Sequence, residues 1–269
     1  MEEYLDNICP ICGNALKNEA KSAVCENRHC FDYAKSGYLN LLRSSGSSHG
    51  DNAEMVQART AFLNTGAYRC LRDALKDILS EEPVGVFADL GCGEGSYTAE
   101  CPGNEKNGFD LSKAAVTRAS KTDKSTLYVI ASIFHLPLPS GCADAALTCF
   151  APAAGEELAR ILKPGGCFVY VQPAARHLYE LKEVLYDAPY ENDESEPELP
   201  SLFQKEKECV ITRSFRADNT SLHNLFQMTP YAYKTGKPAA DRLAGIDSLD
   251  ITASFLIRVY RHSGVSSSS

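Results

Sequence analysis

The run Phe87-Ala88-Asp89-Leu90-Gly91-Cys92-Gly93-Glu94-Gly95-Ser96-Tyr97 constrains the rest of the chain more than any other stretch. An apolar segment starting at Val84 ends in an acid and then in glycines at alternate positions, which reads as a strand entering a tight turn that opens a helix. Glycine belongs where the backbone takes positive φ or where a ligand approaches the main chain. A helix start beyond it offers unpaired N–H groups. Dinucleotide enzymes space these glycines G-x-G-x-x-G, whereas here they run G-x-G-x-G. No Lys-Ser/Thr pair follows, so the loop is not a phosphate-cradling P-loop. Asp89, two residues before the first glycine, suits a cationic ligand with an α-amino group better than a pyrophosphate. About twenty residues on, Gly108-Phe109-Asp110-Leu111-Ser112 is a second short strand ending in an acid. Asp110 is placed to accept from ribose hydroxyls; it can also cap the helix Lys113–Ser120, a role Ser112 can fill instead. Cys101-Pro102-Gly103-Asn104 limits the intervening helix to little more than a turn.

Strand and helix patterns alternate around this centre. Strands are expected at Leu127–Ser132, Ala143–Phe150 and Cys167–Val171, with Glu208–Phe215 and Ser254–Arg261 closing the sheet. A helix at Glu156–Leu162 stops at Lys163-Pro164-Gly165-Gly166. Upstream, Asp51-Asn52 can cap a helix that runs to Leu63 and ends at Gly66, and Tyr68–Leu79 is a second helix with Leu71, Leu75, Ile78 and Leu79 on one face. Repeated β-then-α units imply an α/β fold with a mostly parallel sheet and right-handed crossovers. Ligands bind such sheets beyond the strand C-terminal ends, where the glycine loop, Asp110 and Ser132 lie.

The N-terminal part follows a different logic. Cys9-Pro10-Ile11-Cys12 and Cys25-Glu26-Asn27-Arg28-His29 form a C-x2-C…C-x3-H set that can complete a tetrahedral zinc site, with Cys30 competing with His29 for the fourth position. A module this small holds no core of its own, so the metal supplies its folding energy. Phe31–Leu42 reads as a hairpin arm of this ribbon, and Ser44–Gly50 as a linker by composition. The expected divisions are a ribbon over 1–42, a linker and helices over 43–82, the main domain over 83–262 and a tail over 263–269.

No apolar run reaches membrane-spanning length, the acidic N-terminus is unlike a signal peptide, and the eleven cysteines are an odd count. Reduced thiols and a cytoplasmic location follow as expectations. The net charge of −8 argues against a broad nucleic-acid footprint, yet residues 17–76 carry nine Lys/Arg against six Asp/Glu. Asp187–Glu198 gathers six carboxylates and no base, and reads as a solvated loop.

The glycine loop resembles the first motif of S-adenosylmethionine-dependent methyltransferases of the Rossmann-like class, and Asp110, Leu136-Pro137-Leu138 and the Leu162–Gly166 turn extend the likeness. The ribbon narrows it. Cys9-Pro10-Ile11-Cys12, Cys25…His29-Cys30-Phe31-Asp32, Gly37–Leu42, Ala53-Glu54-Met55…Ala58-Arg59, Phe150-Ala151-Pro152, Glu156–Arg160, Arg176-His177-Leu178 and Gln227–Pro230 resemble the bacterial large-subunit rRNA guanine-N1 methyltransferases, in order over roughly residues 9 to 262. The resemblance implies a seven-stranded, mostly parallel sheet. It favours His29 with Cys9, Cys12 and Cys25 as zinc ligands, and implies cofactor contacts at Tyr68, Gly93, Glu94 and His177 beside Asp89, Gly91, Gly95, Asp110 and Ser132. Phe150-Ala151-Pro152-Ala153 stands where amine methyltransferases often carry Asn/Asp-Pro-Pro-aromatic, which argues against exocyclic amine chemistry. The residues name no general base. Arg28, Lys35, Arg43 and Arg59 are placed to neutralise rRNA phosphates, and Tyr33 and Tyr38 to stack on bases; a homodimer is left open. Two other readings stand beside this one: a small-molecule methyltransferase with a structural zinc ribbon, and a non-catalytic zinc and RNA-binding protein.

Overall fold

The computed structural model describes residues 7–42 and 50–264. The linker expected at Ser44–Gly50 (save Gly50), Arg43, the acidic first residues and most of the tail lie outside them.

The ribbon is a three-stranded antiparallel sheet of β1 (Lys17–Asn18), β2 (Ser22–Val24) and β3 (Cys30–Asp32), in that order. A Tyr33–Leu39 bridge preserves part of the expected hairpin arm. The arm then departs from the ribbon. β4 (Leu39–Asn40) pairs in parallel with β7 (Thr126–Ile130) at the edge of the large sheet, and the Leu41 N–H continues the ladder to the Ile130 carbonyl at 3.0 Å. Burial drives this: Leu39 and Leu41 are almost fully buried in one core with Ala88, Phe109 and Val129, each contributing roughly 1.5–3 kcal/mol. The ribbon and the sheet therefore share a core, and the Ile8 N–H donates to the Pro137 carbonyl at 2.8 Å.

Two helices lead into the sheet. α1 (Ala53–Leu63) is capped by Asn52, whose side chain accepts from the Met55 N–H at 3.0 Å, and α2 (Arg69–Leu79) buries Leu71, Leu75, Ile78 and Leu79 as its spacing requires. The parallel strands are β5 (Val86–Leu90), β6 (Glu105–Asp110), β7, β8 (Ala143–Cys149) and β9 (Leu162–Pro173), with α3 (Lys113–Thr122) and α4 (Gly155–Ile161) as crossovers. The expected helix after the glycine loop shrinks to a 3-10 turn, Thr98–Glu100. Lys163–Gly166 is not a separate turn but a bulge inside β9, since Ala143 faces Leu162 while Ala145 faces Cys167.

After α5 (Tyr179–Leu185) come the long antiparallel strands β10 (Phe203–Asp218) and β11 (Ser248–His262), separated by α6 (Asn219–Gln227), α7 (Tyr231–Lys234) and α8 (Gly236–Ala244). The eight-stranded order is β10-β11-β9-β8-β5-β6-β7-β4, one strand more than expected because the ribbon's tail supplies β4. The acidic loop is tethered: the fully buried Lys182 donates to the Tyr190 carbonyl and Asn192, and Arg258 to the Glu194 and Ser195 carbonyls. No helix among the described residues is long and apolar enough to cross a membrane, and none of the eleven cysteines is in a disulfide.

Candidate active site and metal centre

The two cysteine knuckles meet as their spacing requires. The Cys9 carbonyl accepts from the Gly13 N–H and the Cys25 carbonyl from the Arg28 N–H, each at 2.8 Å, and Arg28 takes φ 62° to close the second turn. These turns bring Cys9, Cys12, Cys25 and His29 together with all ligand atoms within 4.8 Å of one another. His29 Nδ1 lies 3.5 Å from Cys9 Sγ and 3.4 Å from Cys25 Sγ, and Cys12 Sγ lies 3.7 Å from Cys25 Sγ. Tetrahedral zinc, at about 2.3 Å from sulfur and about 2.05 Å from nitrogen, sets edges of about 3.8 and about 3.6 Å. The donor set fits zinc. Cys30 is exposed and outside the group.

At the glycine loop, the Gly91 and Cys92 N–H groups both donate to the Phe109 carbonyl, at 2.8 and 3.0 Å, which ties the turn to β6. A Cβ on Gly91 would stand 2.6 Å from that of Ala151, and one on Gly95 would strike the Tyr128 hydroxyl, so both sites need glycine for space as well as for positive φ. Asp110 accepts the Gly93 N–H at 2.9 Å on one oxygen and the Ser112 N–H at 2.7 Å on the other, while Ser112 Oγ accepts from the Ala115 N–H. Ser112 is thus the cap of α3, and Asp110 buckles β6 to the glycine loop. Ser132, just beyond β7, accepts the Phe134 N–H at 3.2 Å.

Asp89 is buried, with one oxygen accepting from Thr98 Oγ1 at 2.6 Å and the other without a partner. Burial, opposed by the Thr98 hydrogen bond and reinforced by the charges of Asp110 and Glu94, pushes its carboxyl up to about 7. Glu94 is buried and paired with the Ser96 hydroxyl. Three neighbouring acids with an orphaned oxygen fit a ligand carrying positive charge. The raised Asp89 makes the folded state hold a proton that the unfolded chain has released. Its contribution to stability is therefore full below about pH 4 and lost as pH rises towards 7. Urea midpoints of the metal-loaded protein across this window are expected to fall less in Asp89→Asn than in wild type; equal slopes would mean that Asp89 is ionised throughout.

Beside the loop, at the C-terminal ends of β8 and β9, lies a cavity of about 620 Å³, walled by Arg59, Tyr68, Tyr97, Phe150, His177 and Tyr233 among others. Tyr68 is buried edge-on against Phe62 and Phe255, with ring centroids at 5.1 and 4.8 Å, and its hydroxyl meets His177 Nε2 at 3.2 Å. His177 Nδ1 faces the Ser254 backbone at 2.8 Å, and burial lowers the imidazole to about 4, leaving it neutral at physiological pH. Phe150 is half exposed at φ 60°, a strained value for an aromatic residue, and is pinned by its N–H on the Val171 carbonyl at 3.0 Å. A smaller cavity, about 250 Å³ at the opposite strand ends near Glu82 and Arg261, is remote from all of these groups.

The structure thus gathers Asp89, Gly91, Gly93, Glu94, Gly95 and Asp110 into one loop cluster and puts Tyr68 and His177 on the adjoining cavity. It corrects two expectations. Arg59 does not face phosphates from the surface: it turns inward to Asp51 at 2.6 Å. Tyr38 is buried among Cys92, Val116 and Tyr128 and offers no stacking face. Arg28 and Lys35 are exposed. Thr98 and Tyr233 stand outside any motif and carry no positional signal, and Tyr97 closes the glycine run without a role that the run itself assigns.

The Streptomyces fradiae 23S rRNA (guanine(748)-N(1))-methyltransferase is 32% identical over 267 residues, covering 93% of this chain and 95% of that protein. The chain belongs to the 23S rRNA (guanine-N1)-methyltransferase family. Bacillus subtilis YxjB, a candidate member, is 30% identical over 91% of this chain and 93% of its own length. Family models agree by region: the zinc ribbon described as "RlmA, N-terminal" matches residues 7–44, and "Methyltransferase domain" matches residues 88–170. Among solved structures, a candidate type II methyltransferase from Anaeromyxobacter dehalogenans shares the fold at TM-score 0.51 and 20% identity, over 72% of this chain and 95% of that one.

Proposed function

We propose that this protein methylates N1 of one guanosine in a hairpin of 23S rRNA, with S-adenosylmethionine as donor. The observation that carries the reading is the aromatic cavity set against the glycine loop, in a chain whose near full-length relatives are named for this reaction. The work on rRNA implies a cytoplasmic location.

Bound S-adenosylmethionine supplies an electrophilic methyl on a sulfonium. Gly91 and Gly95 shape the turn, Gly93 and Glu94 line it, and Asp89 keeps one carboxyl oxygen without a protein partner beneath it. Each Asp110 oxygen accepts one N–H and keeps a further lone pair for a ribose hydroxyl. Ser132 borders the same end of the sheet. Tyr68 lines the cavity, where its ring would offer a cation–π face to the sulfonium, and His177 holds the Tyr68 hydroxyl in place. Cys9, Cys12, Cys25 and His29 hold the zinc, which keeps the ribbon folded.

Guanine N1 carries a proton and lies on the Watson–Crick edge, so the base enters unpaired; N1 gains the methyl, its proton is released to solvent, and S-adenosylhomocysteine is left. In-line displacement asks the protein chiefly for alignment and exclusion of water. Phe150, Ala151 and Pro152 wall the cavity without the polar atoms that would read an exocyclic amine. The ribbon, with Arg28 and Lys35 exposed, is assigned to rRNA contact.

Labelled methyl transfer to protein-free 23S rRNA, set against small-molecule acceptors, tests the proposal. Label in rRNA alone is expected. Label in small acceptors alone would point to a small-molecule enzyme, and no transfer at all to a binding protein.

A further inference from the structure

The proposed donor has a methionine end with three charges: an ammonium, a sulfonium and a carboxylate. Glu94, and Asp89 when ionised, are the acids beside the loop left to face the first two, since Asp110 serves the ribose. Among the described residues lining the cavity, Arg59 is the one cation, because His177 is neutral. Its side chain comes from α1, and Nη1 lies 3.5 Å from where a Cβ on Gly93 would stand. Its charge is felt at Asp110, Tyr68, Tyr97 and Cys149, groups that surround the junction of loop and cavity.

The guanidinium is held but not saturated. Nη2 pairs with Asp51 at 2.6 Å and reaches the Met228 carbonyl at 3.4 Å, while Nε is buried without a partner. Asp51 is itself anchored, for its carbonyl accepts from Ser112 Oγ at 2.6 Å, immediately beyond Asp110. The pair therefore bridges α1 to the segment that follows β6, across the glycine loop. An arginine spending donors on an internal carboxylate at this point, with a buried donor left over, is arranged for a second planar anion.

We infer that Arg59 is the counter-ion of the cofactor's α-carboxylate, and that Asp51 is a positioning residue that holds the guanidinium over Gly93. This rests on the S-adenosylmethionine reading and deepens it. Arg59 then recognises the amino-acid end of the ligand, while Asp110 recognises the ribose, and the two ends are separable.

Calorimetric titration of the full-length, zinc-loaded protein with S-adenosylmethionine, S-adenosylhomocysteine and 5′-methylthioadenosine separates them, since the last has the nucleoside and thioether but no carboxylate. Arg59→Gln is expected to weaken binding of the two amino-acid-bearing ligands by about ten- to a hundredfold, as for a lost charge-assisted hydrogen bond, and to leave 5′-methylthioadenosine unchanged. Arg59→Lys should recover part of the loss, and Asp51→Asn should lose less than Arg59→Gln. Equal weakening of all three ligands would make Arg59 merely structural and overturn the inference. So would unchanged affinity for all three with reduced rRNA methylation, which would turn Arg59 towards the guanine. Failure of the wild-type protein to bind any of the three would instead remove the cofactor reading itself.

Discussion

Cys25→Ser and His29→Ala variants are expected to lose their zinc and, with it, the fold of the ribbon. The four donors converge from two knuckles whose strands are two or three residues long, too little to hold together unaided. Structural zinc supplies on the order of 10 kcal/mol of apparent folding free energy in such modules. The damage should spread, because Cys9, Leu16, Ala23 and Cys25 lie in one core with Ala88, Phe109 and Val129 of the large sheet. Loss of metal should therefore lower the melting temperature of the whole protein and expose β7 amides to hydrogen exchange, with rRNA methylation abolished. Metal analysis of chelator-free preparations checks the first step. Cys30→Ser should retain its zinc, and retention by His29→Ala with loss from Cys30→Ser would reverse the ligand assignment. The shared core also makes deletion of residues 1–42 a poor probe of ribbon function, since it strips β4 from the sheet; Arg28→Glu with Lys35→Glu tests the RNA face without that cost.

The second large effect is expected at Phe150. Its strained backbone is pinned between β8 and β9, and its ring stands half exposed in the cavity wall, with centroids 6.4 Å from Tyr97 and 6.2 Å from His177. A flipped guanine entering this cavity is expected to stack on the ring, and base–aromatic stacking contributes about 1–3 kcal/mol. Phe150→Ala should lower kcat/KM for rRNA by about ten- to a hundredfold while affinity for S-adenosylhomocysteine holds, and Phe150→Tyr should stay near wild type. A parallel loss of cofactor affinity in Phe150→Ala would place the ring against the donor instead of the base.

Local pattern made the central strands readable. β5, β7 and β8 are short runs rich in apolar residues, β6 was marked by its closing Gly108-Phe109-Asp110, and each lies within a few residues of its expected bounds. The zinc ligands were readable because ligand spacing is itself local. β4 was not, since two residues carry no periodicity and their partner is β7, far along the chain. The full lengths of β10 and β11 were missed: Leu249, Ile251 and Ala253 continue the alternation of Phe255, Ile257 and Val259 into the same core, while β10 is largely exposed and carries a weaker pattern. Around the site, the glycine loop and Asp110 announced themselves, but sequence gives a charge without its direction. Arg59 read as a surface cation because nothing local says that Asp51 turns it inward. Asp51-Asn52 read as one capping unit, yet Asn52 takes the cap and Asp51 takes the arginine.

The most direct test of the account is primer extension on 23S rRNA. A methyl on guanine N1 blocks Watson–Crick pairing, so reverse transcriptase halts where it sits. Protein-free 23S rRNA incubated with the full-length protein and S-adenosylmethionine is expected to give one new stop next to a single guanosine, absent when the cofactor is omitted. Methyl incorporation into the rRNA without any stop would put the methyl on an atom whose methylation leaves pairing intact and contradict the assignment to N1.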